Sequence, residues 1–191
     1  LGIVIYKLST KFQNQIMLTE LLKEVVTALE QRKIPYMISG SIAMTAYAIP
    51  RMTRDIDIVI ELDVELLDLF TSIFDENFYI HKQVVKEEIQ KRGMFNVIDH
   101  RSGYKIDFVI RKNTAYRKLE FERKIRSEIL GFSVWLVAPE DLIISKLIWI
   151  QELQTEKQLG DIKSLLERTD IDFTYIKNWV KELSLKTFDV L

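Results

Sequence analysis

The most restrictive feature of the sequence is the segment Asp55-Ile-Asp-Ile-Val-Ile60, in which acidic and branched apolar residues alternate at its start. Side chains two residues apart on a strand point to the same face of a sheet, so this alternation predicts a half-buried strand. Asp55 and Asp57 then share one face, and the isoleucines occupy the other. Two neighbouring carboxylates repel each other unless a cation lies between them. The segment therefore predicts a strand that presents an acidic pair suited to a divalent ion.

The available ligating side chains narrow the choice of that ion. The 191-residue chain has no cysteine and only two histidines, which excludes disulfides, thiol nucleophiles and Cys- or His-rich metal centres. Carboxylates are plentiful, so we expect oxygen ligands and a hard ion, Mg²⁺ or Mn²⁺. The formal net charge is −1, and no overall basic field therefore indicates a nucleic-acid-binding protein.

A glycine turn precedes the acidic strand. The segment 35–40 predicts a short buried strand that ends at Gly40, and 41–49 predicts a small helix that Pro50 stops. Glycine permits a tight turn, and a helix N-terminus together with the Ser41 hydroxyl can donate hydrogen bonds to an anion. The alternative is that Ser41 simply caps a short helix.

A third carboxylate lies on a later predicted strand, at 104–111. Lys105, Asp107 and Val109 share one face of it, which mirrors the arrangement of the earlier acidic strand. If the two strands are neighbours, three carboxylates converge on one surface, which is the ligand set for two metal ions in phosphoryl transfer. The alternative is an exposed Asp107 on a half-buried strand.

The same Asp-Ile-Asp tripeptide occurs a second time, at Asp170 to Asp172. No glycine-turn strand precedes this copy, and it runs directly into a predicted helix where Asp172 fits as the N-cap. Context therefore separates the two copies, whereas spacing does not. We expect the second copy to have no catalytic role.

Hydrophobic periodicity indicates an α/β (α+β) fold with a mixed sheet flanked by helices, as a core at 19–137, followed by a C-terminal helical portion at 138–191. No segment has the length of a membrane span, and we expect a cytoplasmic protein. Helices are predicted at 19–32, 41–49, 64–74, 82–92, 114–124, 139–152, 156–167 and 173–183, and strands at 35–40, 55–62, 94–99, 104–111, 126–130 and 132–137.

Taken together, the glycine turn, the acidic strand and the third carboxylate resemble the polymerase-β-like nucleotidyltransferase superfamily. The stretch Arg51-Met-Thr-Arg-Asp-Ile-Asp57 looks like the Arg-x-Thr-x-Asp-x-Asp pattern of the branch related to AbiEii-type toxins. Segments 138–146 and 156–161 also match blocks of that branch. The resemblance spans roughly residues 19–170.

This resemblance implies transfer of a nucleoside monophosphate from an NTP to an acceptor, with release of pyrophosphate. It implies catalytic and metal-binding roles for Asp55, Asp57 and Asp107, and nucleotide binding by Gly40, Ser41, Arg51, Lys146 and Asp161. For Lys146 there is a separate argument, because it is the only charged residue in the segment 142–150. A lysine on so apolar a helix needs water or an anion at its ammonium group.

The toxin-like relatives imply RNA, specifically tRNA, as the acceptor, and a cognate antitoxin protein as a partner. A basic band at 111–126, with seven basic and two acidic residues, favours this hypothesis; a solvated helix face is the alternative. In the band, Tyr116 and Phe121 could stack on a base or belong to the core. Two other functions stay open: nucleotidylation of a small molecule or a protein, and a non-catalytic nucleotide-binding module.

Overall fold

The fold is built around a mixed β-sheet. The computed structural model describes residues 2–48, 53, 55–152 and 155–191. In these ranges seven strands run in the order β3-β4-β5-β2-β1-β7-β6, with parallel and antiparallel pairs, which confirms the predicted α/β fold. The strands are β1 Tyr36–Ile38, β2 Asp55–Ile60, β3 Phe78–Tyr79, β4 Met94–Asp99, β5 Lys105–Ile110, β6 Ile125–Ile129 and β7 Phe132–Leu136.

Eight α-helices lie in the same described ranges. They are α1 Gly2–Gln31, α2 Gly40–Met44, α3 Leu67–Thr71 (preceded by a 3-10 turn at Val64–Leu66), α4 Lys82–Lys91, α5 Ala115–Glu122, α6 Pro139–Ile150, α7 Glu156–Leu166 and α8 Phe173–Glu182. Helix α1 begins well before the predicted residue 19. Helix α2 is shorter than predicted, because tight turns follow it at once, with hydrogen bonds from Thr45 N–H to Ile42 O and from Ala46 N–H to Ala43 O.

The chain forms two compact units that interleave along the sequence. The first unit comprises Leu1–Tyr36, Arg54–Ile110 and Leu130–Phe132, and the second comprises Met37–Thr53, Arg111–Ile129 and Ser133–Leu191. The composition-based boundary between 137 and 138 stays a prediction. Within the described ranges, no helix is both long and apolar enough to cross a membrane.

The core of the first unit is rich in aromatic side chains. Phe70 of α3, Phe95 of β4 and Phe108 of β5 pack with ring centroids 5.1–5.6 Å apart. Each ring is at most 3% exposed, and burial of a large apolar side chain contributes about 1.5–3 kcal/mol. These rings lie on one side of β4 and β5 only, so the alternate residues of both strands are left for the opposite face of the sheet.

The second unit has an almost wholly apolar helix at its centre. Helix α6 packs against α7 and α8, and Leu142, Ile143, Ile144 and Leu147 are at most 1% exposed. Pro139 opens this helix, where its missing N–H costs no hydrogen bond. The three helices predicted for the C-terminal portion are therefore observed.

A tight turn between β4 and β5 sets the register of this hairpin. The Asp99 carboxylate accepts hydrogen bonds from Arg101 Nε at 2.6 Å and from Ser102 N at 3.1 Å, and the residue is only 2% exposed. Burial alone would raise the pKa of Asp99, but the hydrogen bonds from Ser102 and Arg101 outweigh it and lower the pKa below its ordinary value. The ionised carboxylate therefore stabilises the turn.

For Asp99→Asn we expect a free energy of unfolding lower by about 1.5–3 kcal/mol at pH 7, because hydrogen bonds to a charged group are lost. A lowered pKa stabilises the folded state above the unfolded-state pKa, about 3.9, and this contribution disappears as the pH falls through the folded-state pKa. Urea unfolding between pH 7 and pH 3 should therefore show the wild-type and variant curves converging. Asp68→Asn, whose side chain is 82% exposed, should change stability little; a pH-independent loss for Asp99→Asn would contradict the assignment.

Candidate active site

The acidic strand β2 has the predicted alternation of buried and accessible residues. Ile56, Ile58 and Ile60 are fully buried, whereas Asp55 is exposed and Asp57 is half-buried. The isoleucines anchor the strand in the core of the first unit, so the two carboxylates project together from the other face. The half-buried strand predicted from the alternation is therefore present.

Strand β5 pairs in parallel with β2, with Asp57 opposite Asp107 and Asp55 opposite Lys105. Directly paired residues of neighbouring strands point to the same face of a sheet. The strand of Asp107 is therefore the neighbour of the acidic strand, as the predicted convergence of the three carboxylates requires. Asp107 itself is 8% exposed, so it is a buried member of this face rather than an isolated surface carboxylate.

Lys105 supplies a positive charge to this acidic face, a role that the sequence interpretation did not assign to it. Its Nζ lies 2.8 Å from Asp107 Oδ2 and 3.8 Å from Asp55 Oδ1. The hydrogen bond to Asp107, assisted by the charges of Asp107, Asp55 and Asp57, raises the pKa of Lys105 above its ordinary value in spite of partial burial. The ammonium group of Lys105 thus lies between two carboxylates of the acidic face, those of Asp107 and Asp55.

Asn96 of β4 completes the surroundings of Asp107. It is the antiparallel partner of Asp107, and its Nδ2 donates a hydrogen bond to Asp107 Oδ1. One oxygen of Asp107 therefore accepts from Asn96 and the other accepts from Lys105. The sequence interpretation missed Asn96 as well, although the predicted turn at 100–103 already pairs residue 96 with residue 107.

The chemistry of this donor set fits a hard divalent ion. Its ligating atoms are carboxylate oxygens, and two of its carboxylates already contact a positive charge, the ammonium group of Lys105. In the described part of the chain, no group of three or more Asp, Glu, His or Cys side chains is arranged to hold a metal ion. Mg²⁺ commonly uses one or two protein carboxylates and completes its shell with water and substrate phosphates. Asp57 and Asp107 are sufficient for that mode.

The glycine turn lies in the second unit, at the start of α2. Gly40 has a φ of +60°, in the left-handed region that residues other than glycine rarely adopt. The N-cap of α2 is Ser39, and Ser41 lies inside the first turn. The alternative in which Ser41 caps the helix is therefore not what the structure shows, and its predicted contact with phosphate stays a prediction.

Lys146 and Asp161, which the resemblance assigned to nucleotide binding, contact each other. Lys146 Nζ lies 2.9 Å from Asp161 Oδ2, and the two side chains are 13% and 7% exposed. The anion that a lysine needs on this apolar helix is therefore Asp161 of α7. Their proposed role toward a nucleotide stays a prediction, and the pair has a structural role in joining α6 to α7.

Several cations of the basic band point inward. Arg117 Nη1 lies 2.8 Å from Glu120 Oε2, and the Glu120 side chain is 3% exposed. Burial raises the pKa of Glu120 above its ordinary value, although the charge of Arg117 and the hydrogen bond from Ser145 oppose the rise. Arg117 therefore pairs with a buried acidic side chain inside the second unit.

Arg123 has a similar role at a second buried carboxylate. Its Nε lies 2.8 Å from Asp141 Oδ2, and Asp141 is 0% exposed. Asp141 Oδ1 also accepts hydrogen bonds from the hydroxyls of Tyr175, at 2.7 Å, and Tyr116, at 3.3 Å. This cluster of Arg123, Asp141, Tyr116 and Tyr175 ties α5, α6 and α8 together.

The two aromatic residues of the band belong to the core. Tyr116 is 2% exposed and Phe121 is 7% exposed, so of the two alternatives the structure shows the core position, and neither ring is accessible to a base. Lys112 and Lys118, by contrast, are exposed. The band is therefore partly a solvated surface and partly a set of internal ion pairs.

The second Asp-Ile-Asp copy has the structural role expected from its context. Asp172 is the N-cap of α8 and accepts a hydrogen bond from Tyr175 N at 2.9 Å. Asp170 forms an ion pair with Arg168 at 2.5 Å. Arg51, the remaining residue that the resemblance assigned to nucleotide binding, lies outside the described residues, as does Pro50.

The chain shares its fold with solved structures, and its sequence matches a protein family. The solution structure of the antibiotic-resistance factor ANT(2'')-Ia has a TM-score of 0.57 at 14% identity, covering 89% of this chain and 92% of that one. The crystal structure of ANT(2'')-Ia in complex with adenylyl-2''-tobramycin has the same TM-score and identity, covering 88% and 97%. At this identity the similarity shows a shared fold.

The sequence gives the more specific assignment. Residues 13–189 match the family described as nucleotidyltransferase of unknown function (DUF6036), and the chain belongs to this family. No curated protein matches the sequence. Membership of the nucleotidyltransferases confirms the superfamily that the motifs predicted, whereas the branch related to AbiEii-type toxins stays a prediction.

Proposed function

We propose that the chain transfers a nucleoside monophosphate from an NTP to a hydroxyl-bearing acceptor and releases pyrophosphate. The observation that carries the proposal is the acidic face of the first unit, where the register of β2 and β5 sets Asp57 opposite Asp107 beside Asp55. Phosphoryl transfer depends on positioning and on stabilisation of charge at the phosphate oxygens, and carboxylate-held metal ions supply both. Family membership supports the same class of reaction.

In this proposal Asp57 and Asp107 hold Mg²⁺ or Mn²⁺, and Asp55 adds negative charge or a further ligand. The bound ion would neutralise the charge that develops on the phosphate oxygens. Asn96 fixes the orientation of Asp107 through its hydrogen bond to Oδ1.

The residues proposed to bind the nucleotide belong to the second unit, and their role is proposed from the family resemblance. Gly40 and Ser41 are proposed to contact the triphosphate, because the left-handed glycine lets the backbone approach a ligand closely. Arg51 belongs to the same proposal. The Lys146–Asp161 pair is proposed to act as a unit, in which Asp161 fixes the position of the lysine ammonium.

The acceptor has two candidates, each with an observation in its favour. RNA, and tRNA in particular, is favoured by the exposed Lys112 and Lys118 of the basic band; an antitoxin partner belongs to this candidate. A small molecule is favoured by the inward positions of Arg117 and Arg123, whose charges are used by buried carboxylates. ANT(2'')-Ia, which shares the fold, was solved with adenylyl-2''-tobramycin.

Incubation with Mg²⁺ and each α-labelled NTP, with either total RNA or a panel of hydroxyl-bearing small molecules that includes tobramycin, distinguishes these candidates. If RNA is the acceptor, the double variant Lys112→Gln, Lys118→Gln should lower its labelling several-fold, and added salt should lower it further, because phosphate contacts are lost. If a small molecule is the acceptor, the same variant should label it normally. Absence of labelling from all four NTPs in both acceptor pools, together with absence of pyrophosphate release, would contradict the proposed function.

A further inference from the structure

Among the described residues of the acidic face, Lys105 is the one whose charge opposes a metal ion. It lies two positions before Asp107 on β5 and directly opposite Asp55 on β2. Its Nζ contacts Asp107 Oδ2 at 2.8 Å and Asp55 Oδ1 at 3.8 Å. The ammonium group of Lys105 therefore contacts the carboxylate oxygen atoms that the proposed function assigns to a metal ion.

The ammonium group of Lys105 reduces the repulsion among the carboxylates of the acidic face when no metal ion is bound. Carboxylates that share one face repel each other, and a positive charge between them lowers that repulsion. A divalent ion bound to Asp107 would remove the same repulsion, and it would also repel the ammonium a few ångströms away. The two cations are therefore alternatives for one carboxylate.

The two donors to Asp107 differ in how readily they can leave. Asn96 is also exposed, but its side chain is short and the β4–β5 register holds it directly opposite Asp107. Lys105 has a long flexible side chain that is 40% exposed, and its ammonium can move into water while its carbon chain stays in place. Departure of Lys105 therefore needs no change in the backbone.

We propose that Lys105 is the resident counter-ion of the acidic face and that it leaves Asp107 when a divalent ion binds. Lys105 thereby lowers the affinity for the free metal ion and stabilises the metal-free fold. The inference rests on the proposed function in one respect, namely that Asp57 and Asp107 are metal ligands. Lys105 is a positioning residue here, because it acts through Asp107.

The test is a titration of the full chain with Mn²⁺ in the absence of nucleotide. Electron paramagnetic resonance measures the concentration of free Mn²⁺ at each step. Lys105→Gln should bind Mn²⁺ at least about fivefold more tightly than wild type, since a competing and repelling charge is gone. Lys105→Arg, which keeps the charge, should stay close to wild type. Lys82→Gln is the matched control, because Lys82 pairs with Asp68 at 2.6 Å in the same unit, and its Mn²⁺ affinity should be unchanged.

Thermal unfolding gives a second readout that does not depend on catalysis. Without metal, Lys105→Gln should melt at a lower temperature than wild type, because its carboxylates repel each other. Saturating Mn²⁺ should raise the melting temperature of Lys105→Gln more than that of wild type, since an ion that binds only the folded state stabilises it. A purely structural salt bridge would lower the melting temperature by the same amount with and without Mn²⁺.

The outcomes separate this inference from the function on which it rests. If wild type binds Mn²⁺ and Asp57→Asn does not, but Lys105→Gln binds no more tightly than wild type, the role of Lys105 is overturned and the metal site stands. If neither wild type nor Lys105→Gln binds Mn²⁺ more tightly than Asp57→Asn, the acidic face is not a metal site. The inference then fails together with the metal-dependent mechanism.

Discussion

Asp57→Asn should lower NTP-dependent labelling of the acceptor by at least about a hundredfold while the protein stays folded. Asp57 faces Asp107 across the β2–β5 ladder, and removal of its charge weakens metal binding where several kcal/mol of transition-state stabilisation arise. Because Asp57 is half-buried on the accessible face, the core isoleucines are untouched. The measurements are transfer of label from an α-labelled NTP and a circular-dichroism melt of the same sample.

The chain contains its own control for this substitution. Asp172→Asn changes the equivalent residue of the second Asp-Ile-Asp copy, and asparagine caps a helix about as well as aspartate. Its labelling activity and its melting temperature should both match those of wild type. Normal labelling by Asp57→Asn would refute the mechanism, and loss of labelling by a stable Asp172→Asn would show that the second copy is the functional one.

Arg123→Met should have the largest effect on stability, a loss of about 2–3 kcal/mol in the free energy of unfolding. The substitution leaves Asp141, which is 0% exposed, without its guanidinium partner. Loss of one partner of a buried pair costs about 3–5 kcal/mol. We expect less here, because the hydroxyls of Tyr175 and Tyr116 still donate to Asp141. Urea unfolding at pH 7 measures the change.

Arg126→Met is the matched control for that prediction. Arg126 belongs to the same basic band, is exposed, and donates to the hydroxyl of Ser133 at 2.8 Å. Surface substitutions of this kind usually change stability by less than about 0.5 kcal/mol. Equal stabilities for the two variants would show that the Arg123–Asp141 pair does not stabilise the second unit.

The accessible face of β2 and β5 was predictable because it follows from a period of two. Alternation predicts which residues share a face, and the mirrored patterns around Asp57 and Asp107 indicate neighbouring strands, which the parallel register shows. Lys105 and Asn96 were missed for a different reason. Their positions follow from the register, but their contacts with Asp107 depend on side-chain conformations that no periodicity contains.

The sequence pattern of the basic band does not predict which of its side chains face water and which face the interior. A run of arginines and lysines has the same composition whether its members face water or buried carboxylates. The partners of Arg117 and Arg123 include Ser145 and Asp141 on α6, which only the tertiary fold brings near. Similarly, Lys146 was expected to need an anion at its ammonium group. That this anion is Asp161 follows only from the packing of α6 against α7.

The two strand pairings of Asp107, with Asn96 on β4 and with Asp57 on β2, differ in when they can form during folding. Asn96 and Asp107 belong to one hairpin, so a single short turn brings them together. Asp57 and Asp107 come together only through parallel pairing across a long intervening chain, which costs more loop-closure entropy and is slower. A partly folded first unit can thus already orient Asp107 and still lack the opposing carboxylate. The acidic pair of Asp57 and Asp107 is therefore complete only after the parallel ladder of β2 and β5 has formed.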